Sequence, residues 1–194
     1  MNPSEIVEVL ERRGAVMHGH FLLSSGRHSD LFVQKFRVLE DPRLAQSLGE
    51  AIASSFDNDF DVVVAPAVGA VVLGFTTALA ADARFIFAER EDGKMALRRG
   101  FEIAPHERAL VVEDVITTGG SAAEVVRLAT EHAGRVVGVG ALIDRGDPSR
   151  PADLGAPLKA LVRLEVSSWP ADGCPLCERG DDLDDPGSRR LRSL

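Results

Sequence analysis

Residues 109–121, Ala-Leu-Val-Val-Glu-Asp-Val-Ile-Thr-Thr-Gly-Gly-Ser, carry the densest chemistry in the chain. An apolar run of strand type ends in two adjacent carboxylates, Glu113 and Asp114. Val115 and Ile116 lead into a turn of Thr117, Thr118, Gly119, Gly120 and Ser121, and a helical pattern follows to His132. A strand ending in acids, a small-residue turn and a helix N-terminus together suit a sugar phosphate. Backbone N–H groups of the turn and the helix dipole attract a phosphate. Gly119 and Gly120 allow the backbone close approach, and the Thr and Ser hydroxyls add donors. The carboxylates lie where they can accept hydrogen bonds from ribose hydroxyls. Acids ahead of the turn fit a ribose 5-phosphate and not a nucleoside triphosphate.

Two other phosphate loops are excluded. A P-loop requires Lys and then Ser or Thr after its last glycine, whereas Gly120 is followed directly by Ser121. A dinucleotide fingerprint requires three spaced glycines, and only the adjacent pair is present. An ordinary strand–turn–helix connection would not need twin acids before such a turn.

The elements that must position this loop follow an alternating rhythm. Apolar runs predict strands at residues 61–65, 84–88, 109–114, 136–144 and 159–166, and helical spacing predicts helices at 69–81 and 121–132. Strands alternating with helices predict an α/β fold with a mostly parallel central sheet covered on both faces. Ligands then bind at the carboxyl ends of strands, where residues 66–69, 113–121 and 144–146 converge. Ahead of the sheet, residues 4–13 read as a helix with Ser4 as N-cap and Gly14 as stop. Residues 16–39 read as a small strand-and-turn element outside the sheet, and residues 42–56 as a helix opened by Pro42. The chain divides into one domain over residues 1–172, with residues 1–40 as a hood, and a tail over residues 173–194. Asp, Gly, Pro and Arg dominate from Asp172 onward and predict a loosely attached surface segment.

The composition is 45% hydrophobic and 27% charged, with a net charge of -8. That balance disfavours nucleic-acid binding and anionic membranes. Residues 62–81 carry no charge, but Pro66, Gly69, Gly74 and flanking Asp61 and Asp82 fit a strand, turn and buried helix better than a membrane span. The first residues lack a signal-peptide core, so the expected location is cytoplasmic. Positive charge is local: Arg90, Lys94, Arg98 and Arg99 cluster in a segment that reads as a loop joining two strands, with Gly93 as a hinge. Closing these cations over an anion would add charge and shed water together.

Cys174 and Cys177 form C-P-L-C near the end. No second Cys pair or nearby His completes a zinc site within the chain, and His18 with His20 gives two ligands without a third. The expectation is two reduced surface thiols, with a metal shared between subunits as the alternative. His106 and His132 read as surface positions.

These segments together resemble the type I phosphoribosyltransferases, and specifically their orotate branch. Residues 109–121 resemble the binding motif for phosphoribosyl pyrophosphate (PRPP). Residues 20–29 (His-Phe-Leu-Leu-Ser-Ser-Gly-Arg-His-Ser) resemble the orotate-side segment, residues 87–101 the mobile catalytic loop, and Ile143-Asp-Arg-Gly146 the late strand-end motif. The resemblance implies the family's fold with a small N-terminal hood, and transfer of phosphoribose from PRPP to orotate, giving orotidine 5′-monophosphate and pyrophosphate. It implies magnesium held mainly by substrate oxygens, with no firm protein metal ligand, and a homodimer sharing the lid across subunits. It assigns PRPP to residues 113–121, orotate to Thr117 and Arg145, and catalysis to Lys94, Arg90 and Asp114. Phe32 either lines the base pocket or packs in the core. Two departures stand out: Ser24 occupies a place where some members have Lys, and Ala70 a place usually held by Gly. The alternatives are a type I transferase for another base, disfavoured by residues 21–29, and a PRPP-sensing regulator, disfavoured by retention of Arg90 and Lys94. The chain is too short to hold a decarboxylase barrel as well.

Overall fold

Val62, Val63 and Val64 are β-branched, uncharged and fully buried, which suits a strand covered on both faces. The computed structural model describes residues 1–23, 25–132, 135–147, 149 and 152–186. In chain order the elements are α1 (Pro3–Arg12), β1 (Val16–Leu22), β2 (His28–Val33), α2 (Phe36–Leu39), α3 (Pro42–Ser55), β3 (Val62–Pro66) and α4 (Val71–Ala80). There follow β4 (Arg84–Glu91), β5 (Lys94–Leu97), β6 (Arg108–Ile116), α5 (Gly120–His132), β7 (Arg135–Asp144), β8 (Leu158–Arg163), β9 (Ser168–Trp169) and α6 (Pro175–Glu178).

The main sheet runs β5-β4-β3-β6-β7-β8, parallel throughout except for β5, which pairs antiparallel at one edge. Alternate side chains of β3 and β6 face opposite layers. Val63 and Leu110 pack under Leu10, Ile52 and Leu73 of α1, α3 and α4. Val62, Val64 and Val111 pack with Val125 and Ala129 of α5 on the other face. The uncharged stretch 62–81 becomes β3, a turn and α4, and no helix among the described residues is long and apolar enough to cross a membrane.

The expected mostly parallel, helix-flanked sheet and the separate hood are both present. Several local expectations change. Asn2, not Ser4, caps α1: its side chain accepts from the Glu5 amide at 3.0 Å, while the Glu5 carboxylate accepts from the Asn2 amide at 2.8 Å. The hood is a three-stranded antiparallel sheet, β1-β2-β9, so its third strand comes from the C-terminal part of the chain. The cationic segment after β4 is a hairpin continuing the main sheet, closed by Asp92 and Gly93, and not an irregular loop. Edge strands tolerate such charge because their outer rim faces water.

Residues 173–186 are not loosely attached. Cys174 and Leu176 are buried, and Asp184 bridges to β1 through Leu22 N–H and its own N–H to the His20 carbonyl, both at 2.8 Å. Residues 187–194 lie outside the described set. The expectation of thiols with no histidine near them also fails, because Cys174 and Cys177 both lie against His20 and His28.

Leu110 is fully buried at the centre of this packing. Leu110→Ala should destabilise the fold by about 2–5 kcal/mol through lost transfer energy and the cavity left behind. Urea unfolding checks this, and a shift below about 0.5 kcal/mol would mean that the layer collapses to fill the space.

Candidate active site

The register of β6 carries Glu113 and Asp114 to the floor of a crevice between the end of β3 and the start of α5. Both acids are buried, at 8% and 3% exposure. Asp114 Oδ1 accepts the Val115 amide at 2.6 Å, and Oδ2 is ion-paired with Lys35 Nζ at 2.5 Å. Glu113 Oε1 accepts the Asp114 amide at 3.1 Å. Gly69, in the turn after β3, completes this floor. A Cβ there would lie 2.1 Å from Asp114 Oδ2 and 2.6 Å from Lys35 Nζ, so a side chain at 69 and this ion pair exclude each other. A cavity of about 280 Å³ opens above, lined by Lys35, Gly69, Arg90, Glu113, Asp114 and Ser121 among others.

Burial pushes the Glu113 carboxyl up to about 8, with the neighbouring Asp114 charge as the second cause and Lys35 opposing. Near neutrality in the unliganded protein, Glu113 therefore holds its proton for a substantial part of the time.

Next to this floor, the turn from Thr117 to Ser121 rims a second cavity of about 190 Å³, to which Val115 and Ile116 also contribute. The two glycines of the turn have different reasons. Gly119 has φ +75°, and a Cβ there would meet Leu154 at 2.5 Å and Ala152 at 2.7 Å. A Cβ at Gly120 would have only Thr118 Oγ1 near it, at 3.9 Å, so this position leaves clearance at the start of α5. The first amides of α5 have no carbonyl partner within the helix, and they edge this cavity. Arg145, in the turn after β7, donates through Nε to Thr117 Oγ1 at 3.0 Å and through its amide to the Ile116 carbonyl at 2.9 Å. Burial disfavours its charge, and no carboxylate among the described residues pairs with it. The two residues matched to the base by resemblance are therefore in contact, with a half-buried guanidinium free to take an anion.

The hairpin cations divide. Arg90 makes a two-pronged pair with Glu124 of α5, both contacts at 3.1 Å, and also donates to the Gly93 carbonyl at 2.7 Å. Arg99 grips Glu89 at 2.8 and 2.9 Å, and Arg98 pairs with Glu91 at 3.4 Å. Lys94 is exposed, has no ion pair among the described residues and does not line this chain's own crevice, although Arg90 and Met95 do.

Lys35 is the site residue that sequence reasoning missed. It precedes α2 as a lone lysine, and only the fold brings it to Asp114. The turn after β3 contains a cis Ala67–Val68 peptide. Ala70 has φ -88° in ordinary right-handed geometry, so alanine fits where the resemblance expects glycine. On the hood, the Leu23 amide donates to the Arg27 carbonyl and the Gly26 amide to the Leu23 carbonyl, both at 2.8 Å. Arg27 is tied to β9 through Ser168 Oγ at 3.1 Å and the Ser168 carbonyl at 2.5 Å. Ser24 lies outside the described residues. Phe32 is half-buried against Phe21, with ring centroids 5.7 Å apart.

A phosphoribosyl transferase domain model matches residues 37–156. The orotate phosphoribosyltransferase of Caldanaerobacter subterraneus subsp. tengcongensis is 42% identical over 98% of this chain and 100% of its own length. That of Caldicellulosiruptor bescii is 46% identical over 98% and 100%. Among solved structures, the Mycobacterium tuberculosis H37Rv orotate phosphoribosyltransferase in complex with PRPP superposes with a TM-score of 0.65 at 26% identity, covering 84% of this chain and 96% of that one.

The raised Glu113 carboxyl makes stability depend on pH. Between the ordinary value of 4.5 and about 8, the folded protein keeps a proton that the unfolded chain has lost. Its contribution is complete below that window and is lost as pH rises through it. Wild-type melting temperature should thus fall from pH 5 to pH 8.5 more steeply than that of Glu113→Gln. Parallel profiles would show that Glu113 titrates as an ordinary carboxyl.

Proposed function

Since the chain belongs to the phosphoribosyl transferase domain family, and within it to the orotate phosphoribosyltransferases, we propose that it transfers the 5-phosphoribosyl group of PRPP to orotate, releasing pyrophosphate. The observation that carries this is the pair of adjacent cavities, one lined by Gly69 and the buried Glu113–Asp114 pair and the other by the Thr117–Ser121 turn, which share Glu113, Val115 and Ser121. That sequence of surfaces matches a pyrophosphate, a ribose and a 5-phosphate in order.

Residues 117–121 hold the 5-phosphate by backbone amides and hydroxyls. Glu113 and Asp114 accept from the ribose hydroxyls, with Lys35 fixing the Asp114 carboxylate. As the anomeric C–O bond to pyrophosphate breaks and the bond to the orotate nitrogen forms, positive charge develops on the ribose ring. The Asp114 carboxylate favours that charge, and the hairpin cations favour the departing pyrophosphate. Arg145, steadied by Thr117, takes the orotate carboxylate, a geometry that guanidinium supports with two parallel hydrogen bonds.

Magnesium suits this floor. Its protein oxygens are few, and one is already committed to Lys35, as expected of an ion held chiefly by substrate oxygens beside Asp114. When bound, it would neutralise pyrophosphate charge.

The protein acts as a homodimer in this reading. Val68, Val72, Phe75 and Leu79 form an exposed apolar stripe from the turn after β3 along α4, beside the crevice. A second copy covering that stripe would bring its hairpin near this site, giving Lys94, which is uncommitted in its own chain, a role across the interface.

Ultraviolet absorbance with orotate, PRPP and magnesium tests the reaction. Loss of orotate absorbance dependent on both additions is expected. Turnover with hypoxanthine or uracil instead would overturn the substrate, and PRPP binding without turnover would favour a regulator.

Lys94→Ala should retain PRPP binding and lose turnover on the order of 10²–10³-fold, the usual scale for one transition-state contact. Mixing Lys94→Ala subunits with Asp114→Asn subunits should restore activity in part. Absence of recovery would place each Lys94 in its own chain's site.

A further inference from the structure

His20, His28, Cys174 and Cys177 present one ligand atom each to a common point. The two imidazole nitrogens and two sulfurs all lie within 4.8 Å of one another. His20 Nε2 and His28 Nδ1 are 2.9 Å apart. Cys174 Sγ lies 3.6 Å from His20 Nε2, and Cys177 Sγ lies 3.7 Å from His20 Nε2 and 3.3 Å from His28 Nδ1. Zinc bonds of about 2.0–2.1 Å to nitrogen and about 2.3 Å to sulfur, set at tetrahedral angles, place two nitrogens about 3.3 Å apart and nitrogen about 3.6 Å from sulfur. The three nitrogen–sulfur separations stand near that value, and the two nitrogens lie somewhat closer.

Three further observations favour an ion over a chance cluster. His20 Nδ1–H donates to the Asp181 carbonyl at 2.9 Å, which leaves Nε2 with its lone pair directed at the cluster, as an outer partner does for a metal-bound histidine. Both histidines and Cys174 are buried. Both sulfurs have imidazole nitrogens as neighbours. Two thiolates and two neutral imidazoles balance a divalent charge, so the filled site is neutral and suits a buried place.

We propose that these residues form a closed four-ligand zinc site that pins the C-terminal segment to the hood. The ion is structural, since four protein ligands leave no position for a substrate. A two-iron cluster would divide imidazoles and thiolates between two irons and hold nitrogen farther from sulfur than the 3.3–3.7 Å found. The effect reaches the base of the connection between β1 and β2, because His20 and His28 lie on those two strands. A staple there holds the strands together without touching a ligand. The site stands independently of the transferase reading.

The chain has two cysteines, so any metal–thiolate signal reports this site alone. Purified protein passed into metal-free buffer should contain about one zinc per chain by elemental analysis. Cobalt replacement should give thiolate-to-cobalt charge transfer with the strong visible bands of four-coordinate geometry. Cys174→Ser/Cys177→Ser should lose both signals and melt at lower temperature. Should that variant fail to fold, the wild type still decides: a mercurial thiol reagent should release one zinc for two thiols titrated. Iron in place of zinc, a disulfide, or two freely titrating thiols with no metal bound after zinc is supplied would each overturn the proposal.

Discussion

The ion pair between Lys35 and Asp114 is the constraint around which the crevice is arranged. It joins three segments that are distant in the chain: the exit from the hood, the end of β6 and the turn after β3. Asp114 is buried, and a buried carboxylate requires a partner. Lys35 supplies it, and the pair then leaves no room for a side chain at Gly69. One electrostatic requirement thus fixes a backbone position on a neighbouring strand end. Glu113 has no ion pair among the described residues, and burial pushes its carboxyl up.

The same economy governs the hairpin. Arg90, Arg98 and Arg99 each take a nearby carboxylate, which lets a strongly charged segment lie in register as an edge strand. In sequence this segment reads as a loop, because charge density is high and apolar alternation is weak. The partners Glu89, Glu91 and Glu124 become visible only when β4, β5 and α5 are assembled. Lys94 is set apart by lacking such a partner among the described residues.

Legibility followed the range of the forces involved. The buried strands β3 and β6 announce themselves by uninterrupted apolar runs, and the Thr117–Ser121 turn by its local composition, so the sheet and the phosphate end of the crevice were readable. Boundaries shifted by a few residues, and the α1 cap moved from Ser4 to Asn2. What escaped were contacts made by single residues across the whole chain. Lys35 has no local signature, β9 is two residues long, and C-P-L-C gains its histidines only when β9 folds back on the hood. The acidic, Pro- and Gly-rich composition after Asp172 resembles a solvated tail, yet Cys174 and Leu176 are buried there.

The shared construction of the hood sets an order of assembly. Residues 16–33 leave the ribosome early but find their third strand, and the two cysteines beside it, only after the entire main sheet has been synthesised. Until then the hood has only two strands, fewer than a free-standing sheet needs. The segment that resembles the orotate side therefore depends on partners made late in synthesis, although it is itself among the first to be made.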